Sequence, residues 1–453
     1  MRIQRLVVRI RRLRRSKHFW ASASSLIVVF CLFQNCGSHQ YVAAQFVANA
    51  LPPSGIVPES SSIVTGTTST GTGVFTGTGT GVFTSTGTGA STGTGTSATT
   101  STAVVSLYAG TGTAGYSGDG GAATSAMLNH PYGGAIDSAG NIYVADTFNS
   151  VVRKVTPSGI ISTFAGNGVY GFSGDGGAAT SAKLSSPSAV AVDNSGNVYI
   201  ADMDSVVIRK VNTSGVISTI AGTPGVNGNS GDGGAATSAR MMPPFGVAVD
   251  SSGNVFIATP QSNSVRKVSS SGIMSTYAGN GSAAFSGDNG PAASASLDHP
   301  YSVAVDSNGN LYIADQVNRA IRMVAATNAS SFGVMKTAGN IYTIGGVGGV
   351  LPYGCNNASY CIADGDSGIA TSAHIGWTNG IAVDAAGNVY ITDGYNQNVR
   401  MIANQTGVRF GMSLTIGFIY QVAGIGTGVG VSVDASGNLY TIDSAASVVY
   451  KVH

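Results

Sequence analysis

The chain has 453 residues, 22 basic and 20 acidic side chains and a formal charge of +2, and eight of the bases lie within the first 17 residues. Beyond residue 17 only 14 bases face 20 acids, so no basic footprint for nucleic acid remains. The length suits two or three average domains, but all-β barrels and propellers often exceed that average as one unit.

The basic run, Arg2 to Lys17, leads into ASASSLIVVFCLF at 21–33. That stretch has the length of a signal-peptide core and is too short for an ordinary membrane-spanning helix, so export is expected. Cys36, in LFQNCG, stands where a bacterial lipoprotein signal places its lipidated cysteine, although Leu32 is one position further away than usual and Gln34 and Asn35 are bulkier than the usual residues. Cleavage after residue 44 or 50, or no cleavage, are the alternatives. Residues 1–36 are therefore read as a targeting segment and 37–103 as a flexible stalk. From 54 to 103 the sequence is nearly all Gly, Thr and Ser with Glu59 as its one charge, too little apolar surface to offset backbone entropy.

From residue 104 the chain repeats itself. GGAIDSAGNIYVAD, AVAVDNSGNVYIAD, GVAVDSSGNVFIAT, SVAVDSNGNLYIAD, GIAVDAAGNVYITD and GVSVDASGNLYTID place their first Asp at 137, 193, 250, 306, 384 and 434. An arginine follows the second marker position by seven residues in five units, Arg153, Arg209, Arg266, Arg322 and Arg400, with Tyr450 in the sixth. Each unit reads as four short strands joined by Gly-containing turns, which is the pattern of a β-propeller blade. The sixth unit stops after its third strand, SVVYKVH, while VVSLYAG at 104–110 matches the fourth strand of the other units. The expected fold is thus all-β, a six-bladed propeller over 104–453 whose N-terminal strand completes the last blade and removes an open edge.

The repeated pattern with its V-R-K-V ending resembles the NHL repeat, and AGNGxxGxSGDGGAATSAxL between blades resembles the long loop of exported bacterial NHL proteins. The resemblance implies a six-bladed propeller and, for most members, a binding surface; a minority of related propellers are enzymes. Three departures stand out. Units four and five carry AATNASSFGVMKTAG and ANQTGVRFGMSLTIG between their third and fourth strands, expected as longer hairpins. Unit six lacks the SGDGG loop, and Thr259 replaces the Asp of its unit.

The chemistry-bearing residues are few. Glu59 is the one glutamate, and of 19 Asp only Asp204, Asp298 and Asp364 fall outside the repeat positions. A carboxylate repeated in every blade is read as a turn cap or as the partner of that blade's arginine. The Asp of SGDGG is expected to cap the short AATSA turn, with small alanines letting the loop lie flat on the ring. Seven residues before each first Asp stand His130, Ser186, Pro243, His299, Trp377 and Thr427, at the expected rim of the central channel. His130 and His299 belong to opposite blades; lyase-type propellers place functional histidines near such a channel, but residues on opposite walls share a zinc ion only across a very narrow one. With His130, His299 and Trp377, the neighbouring aromatics Tyr132, Phe245 and Tyr301 form the candidate binding rim, suited to a peptide or a sugar. His374 is a further histidine candidate. ADGDSG at 363–368 has too few acids for a calcium loop.

Cys355 and Cys361 are read as a loop-stapling disulfide. Sequons occur at Asn212, Asn280, Asn328, Asn357 and Asn404. No catalytic residue, metal site or cofactor is assigned. The expected function is that of an exported, surface-tethered, monomeric module that binds a protein or carbohydrate ligand at the bacterial cell envelope, or is secreted, touching the membrane only through an N-terminal lipid. The alternative is a lyase-type enzyme using the rim histidines with or without a metal.

Overall fold

A computed structural model of the chain describes residues 102–349, 365–394, 396–424, 426 and 428–453. The targeting segment, the stalk up to residue 101 and the cysteines Cys36, Cys355 and Cys361 lie outside the described residues, as do Asp364 and Thr427. Within the described residues there is no α-helix, only strands and single turns of 3-10 helix.

Six antiparallel sheets form the blades. Blade 1 comprises Pro131–Ile136, Ile142–Asp146, Val151–Val155 and Ile161–Ala165, in that order from the centre outward. The β-branched runs form the strands, and the turn between the first two is held by its Asp: Asp137 Oδ1 accepts the N–H groups of Ala139 and Asn141 at 3.0 and 2.8 Å, and Oδ2 accepts from the Asn141 amide at 2.7 Å. The same turn recurs at Asp193, Asp250, Asp306, Asp384 and Asp434. Each inner strand touches the next, and Gly428–Val433 of blade 6 touches Pro131–Ile136 of blade 1, so the ring is closed. Its closure is the one the repeats require: Val105–Ala109 pairs antiparallel with Val448–Val452, Val105 opposite Val452 and Leu107 opposite Tyr450.

Buried apolar side chains gather in six clusters, one between each pair of neighbouring blades. The repeated decapeptide belongs to these clusters. In the copy between blades 6 and 1, Ala123, Ala126 and the following Leu128 are fully buried against Ala109 and Ile442 of blade 6 and Ile142 and Val144 of blade 1. The loop is a wedge between blades, not a flap lying flat on the ring. Gly118 explains part of its sequence: φ is +95°, and a Cβ there would sit 2.5 Å from the Ala126 methyl, so only this Gly–Ala pairing fits. Gly120 has a φ of +81° but open space around it, and the two degraded copies place Asn289 and Ser367 there at φ of 65° and 61°. The copies diverge where the packing tolerates it.

The loop aspartates do not cap. The 3-10 turn Ala123–Ser125 and its counterparts have no side-chain cap. Asp119 instead accepts from Arg153 Nη2 at 2.5 Å, because the loop runs along the next blade and brings its carboxylate over that blade's arginine. The pair recurs as Arg209 with Asp175 at 2.6 Å, Arg266 with Asp232, Arg322 with Asp288 at 2.7 Å, and Arg400 with Asp366 at 2.9 Å. These five guanidinium groups are essentially buried. Blade 6 has neither arginine nor loop, so the two halves of the latch are lost together.

The inserted segments of blades 4 and 5 are hairpins, Ala329–Ser331 with Val334–Lys336 and Gly407–Arg409 with Met412–Leu414. Each supplies an aromatic over the second-strand tyrosine of its blade, Phe332 over Tyr312 and Phe410 over Tyr390. In blades 1 and 3 the fourth strand does this, with Phe164 over Tyr143 and Tyr277 over Phe256. The fourth strands of blades 4 and 5 carry Ile344 and Val422 at that position.

Candidate functional site

The inner strands narrow the channel to a small axial cavity of about 60 Å³, lined by one side chain from each blade two residues after the rim position: Tyr132, Ser188, Phe245, Tyr301, Asn379 and Val429. Tyr132 and Tyr301 meet across it, hydroxyl to hydroxyl, at 3.4 Å, and Phe245 packs on Tyr301 with ring centroids 4.7 Å apart. Three of the six expected rim residues thus plug the axis.

The rim itself is built from two side-chain columns. One is the position before the inner strand, and the other lies two residues beyond the second marker Asp: Phe148, Asp204, Gln261, Val317 and, in blade 6, Ala445. In blades 1, 2 and 4 one backbone bond holds the columns together. The N–H of Phe148, Asp204 and Val317 donates to the carbonyl of Asn129, Ser185 and Asp298, each at 3.1 Å. His130, Ser186 and His299 take left-handed φ of 48°, 53° and 52°, a conformation that turns their side chains out of the strand at a cost the surrounding loop must sustain. On this frame, shared by blades 1, 2 and 4, the side chains differ. His130 stacks on Phe148 at 4.5 Å with Nδ1 3.0 Å from Asn129 Oδ1. Ser186 and Tyr170 both donate to Asp204 Oδ2, at 2.6 and 3.3 Å. His299 Nδ1 lies 2.7 Å from Asp298 Oδ1, with its ring half exposed.

A larger cavity, of about 350 Å³, opens where blade 6 lacks its loop. His130, Trp377, Asn379, Gly394, Val429, Ser444 and Ala445 line it. It brings His130 and Trp377 together and leaves His299 apart from them. His374 sits in the preceding loop, its carbonyl accepting from Arg400 Nη1 at 2.6 Å. Among the described residues, no group of three or more His, Cys, Asp or Glu is placed to hold a metal ion. Asn379 and Ser444 carry no sequence signal of their own; the short 50-residue spacing before the sixth unit is the clue to the notch they line.

The carboxylates pushed upward stand beside the buried arginines. Burial pushes Asp146 and Asp315 up to about 6 and Asp202 up to about 7, against hydrogen bonds and the nearby arginines that pull them down. Each accepts a backbone N–H, Asn129 to Asp146 at 2.7 Å, Ser185 to Asp202 at 2.6 Å and Asp298 to Asp315 at 2.7 Å, so these carboxylates fix the rim backbone from beneath.

A family model described as the teneurin NHL domain matches residues 109–172, 170–230 and 221–284. Teneurin-4 of Mus musculus is 32% identical over 312 residues, 60% of this chain and 10% of that protein. Teneurin-1 of Gallus gallus is 31% identical over 236 residues, 46% of this chain and 8% of that protein. The chain thus spans about a tenth of the length of these relatives. Among solved structures, a structural-genomics protein of unknown function from Bacteroides thetaiotaomicron superposes with a TM-score of 0.50 at 14% identity, over 77% of this chain and 75% of that one. A streptogramin B lyase structure gives 0.44 at 10% identity, over 78% and 97%. Repeat, ring and family match agree: the described residues form a six-bladed β-propeller whose repeats match the NHL domain model over residues 109–284.

Proposed function

We propose that the protein is an exported, surface-tethered interaction module that receives a protein or glycan partner on its rim. The observation that carries this reading is the contrast on the rim face: a backbone shared by blades 1, 2 and 4 presents different side chains in each, and an open cavity lies beside them. The chain's point of entry supports it. The N–H of Thr102 donates to the carbonyl of Phe410 at 2.9 Å, on the hairpin that leaves the third strand of blade 5 at the end remote from the rim. A stalk over 37–103 that joins there, with a lipid on Cys36 or a cleaved signal over 1–36, holds the ring outside the cell or at its envelope. The module acts as a monomer without a cofactor.

The test is to present the full chain to a glycan array and to extracellular proteins. The reading expects one ligand class whose capture is lost in Trp377→Ala and kept in Met335→Ala, on the exposed blade 4 hairpin. Capture that depends on Met335 and not on Trp377 would overturn it. Mass analysis of the mature N-terminus, with Cys36→Ala alongside, tests tether against secretion.

A lyase-type enzyme is the second reading, favoured by the polar partners on Nδ1 of His130 and His299, which leave each Nε2 as the acceptor. It expects bound metal or turnover that a His130→Ala, His299→Ala double variant abolishes, and it fails if that variant matches the parent in both.

A further inference from the structure

We infer that the cavity beside blade 6 binds a neutral pyranose, which makes the partner a glycan; this rests on the binding-module reading and narrows it. Its volume of about 350 Å³ lies at the small end of ordinary ligand sites, roughly 300–1,000 Å³. No Lys, Arg, Asp or Glu lines it among the described residues, so neither a charged sugar nor a charged side chain finds a counter-ion there. Trp377, 47% exposed, puts an aromatic residue in the lining, the residue type that packs against the C–H face of a sugar ring.

Around these rings stand neutral hydrogen-bonding groups. The imidazole of His130 is fixed by its stack on Phe148 and by the Asn129 oxygen at Nδ1, which sets the proton there and leaves Nε2 to accept from a hydroxyl. Asn379 receives Gln316 Nε2 on its carbonyl oxygen at 2.5 Å, which orients its NH2 as the donor, and Ser444 adds a hydroxyl. A phenol or an indole from a peptide would use one such group; a sugar's hydroxyl edge uses several.

The chain carries two tryptophans, Trp20 and Trp377, so Trp20→Phe leaves the cavity's own indole as the single reporter. Fluorescence of that full-length variant is titrated with methyl glucoside, methyl galactoside, glucuronate, glucosamine and p-cresol. A neutral glycoside is expected to saturate the signal with a Kd of roughly 1 mM, the charged sugars at least ten-fold more weakly. Asn379→Ala and Ser444→Ala, each checked for an unchanged unfolding midpoint, are expected to weaken the glycoside about ten-fold. Equal binding of charged and neutral sugars overturns the inference. Saturation by p-cresol with no response to either glycoside overturns the sugar assignment and leaves a peptide-binding module standing. Partner capture that survives Trp377→Ala removes both.

Discussion

The decapeptide wedges and the rim sit a few residues apart in every repeat and follow opposite rules. From Gly118 to Ala126 the sequence is repeated letter for letter in two further copies, and four of its positions have a steric or electrostatic cause: Gly118, whose Cβ would strike an alanine, the buried Ala123 and Ala126, and Asp119 over a buried arginine. At the rim position the side chains do not repeat, since His130, Ser186, Pro243, His299 and Trp377 occupy the equivalent place, and the left-handed backbone is shared by His130, Ser186 and His299. Repetition marks what holds the blades together, and divergence marks what faces a ligand.

The comparison breaks most visibly at the latch. Arg322→Ala removes the partner of Asp288 and of the buried Asp315, and is expected to cost about 3–5 kcal/mol in urea unfolding, the range for leaving a buried charge unpaired. A loss under about 1 kcal/mol would mean that the latch is ornamental. Gly118→Ala comes next: it forces a left-handed Ala against Ala126 and should cost about 1–3 kcal/mol, while Gly120→Ala, with the same hand of φ but open space, should cost less.

Blade 3 gives a finer test. Thr259 stands where the other blades have the buried Asp, and Asn229 where blades 1, 2 and 4 stack Tyr116, Phe172 and Phe285 on the arginine. Arg266 Nη1 donates to Asn229 Oδ1 at 2.7 Å, so one replacement answers the other. Asn229→Phe alone should destabilise by about 1–2 kcal/mol, and adding Thr259→Asp should recover part of that, a coupling that a double-mutant cycle measures. Additive effects would show that the two changes are unrelated.

The architecture was open to reading because it rests on local rules. β-branched runs, Asp-x-x-Gly-Asn turns and an orphan strand at 104–110 specify six blades and their closure without any long-range information. Of the two roles open to a repeated aspartate, turn cap or partner of its blade's arginine, the loop aspartates take the second: Asp119 meets an arginine 34 residues away, which only the wedge's path along the next blade brings near. The channel plug escaped for the same reason: Tyr132 and Tyr301 are 169 residues apart, and only the ring's diameter decides whether opposite side chains touch. The notch beside blade 6 left a trace in the missing loop, but Asn379 and Ser444 are unremarkable until the ring places them around it.

The smallest effects should come from the rim. Tyr170 and Trp377 are exposed at 62% and 47%, so removing either should move stability by no more than about 0.5 kcal/mol.

Equilibrium urea unfolding of a Tyr170→Ala, Trp377→Ala double variant beside Arg322→Ala weighs rim against latch directly. A rim variant within about 1 kcal/mol of the parent, against a loss of about 3 kcal/mol or more at the latch, is the result expected of a repeated scaffold carrying a separate binding face. A rim variant that unfolds as readily as the latch variant would contradict that division.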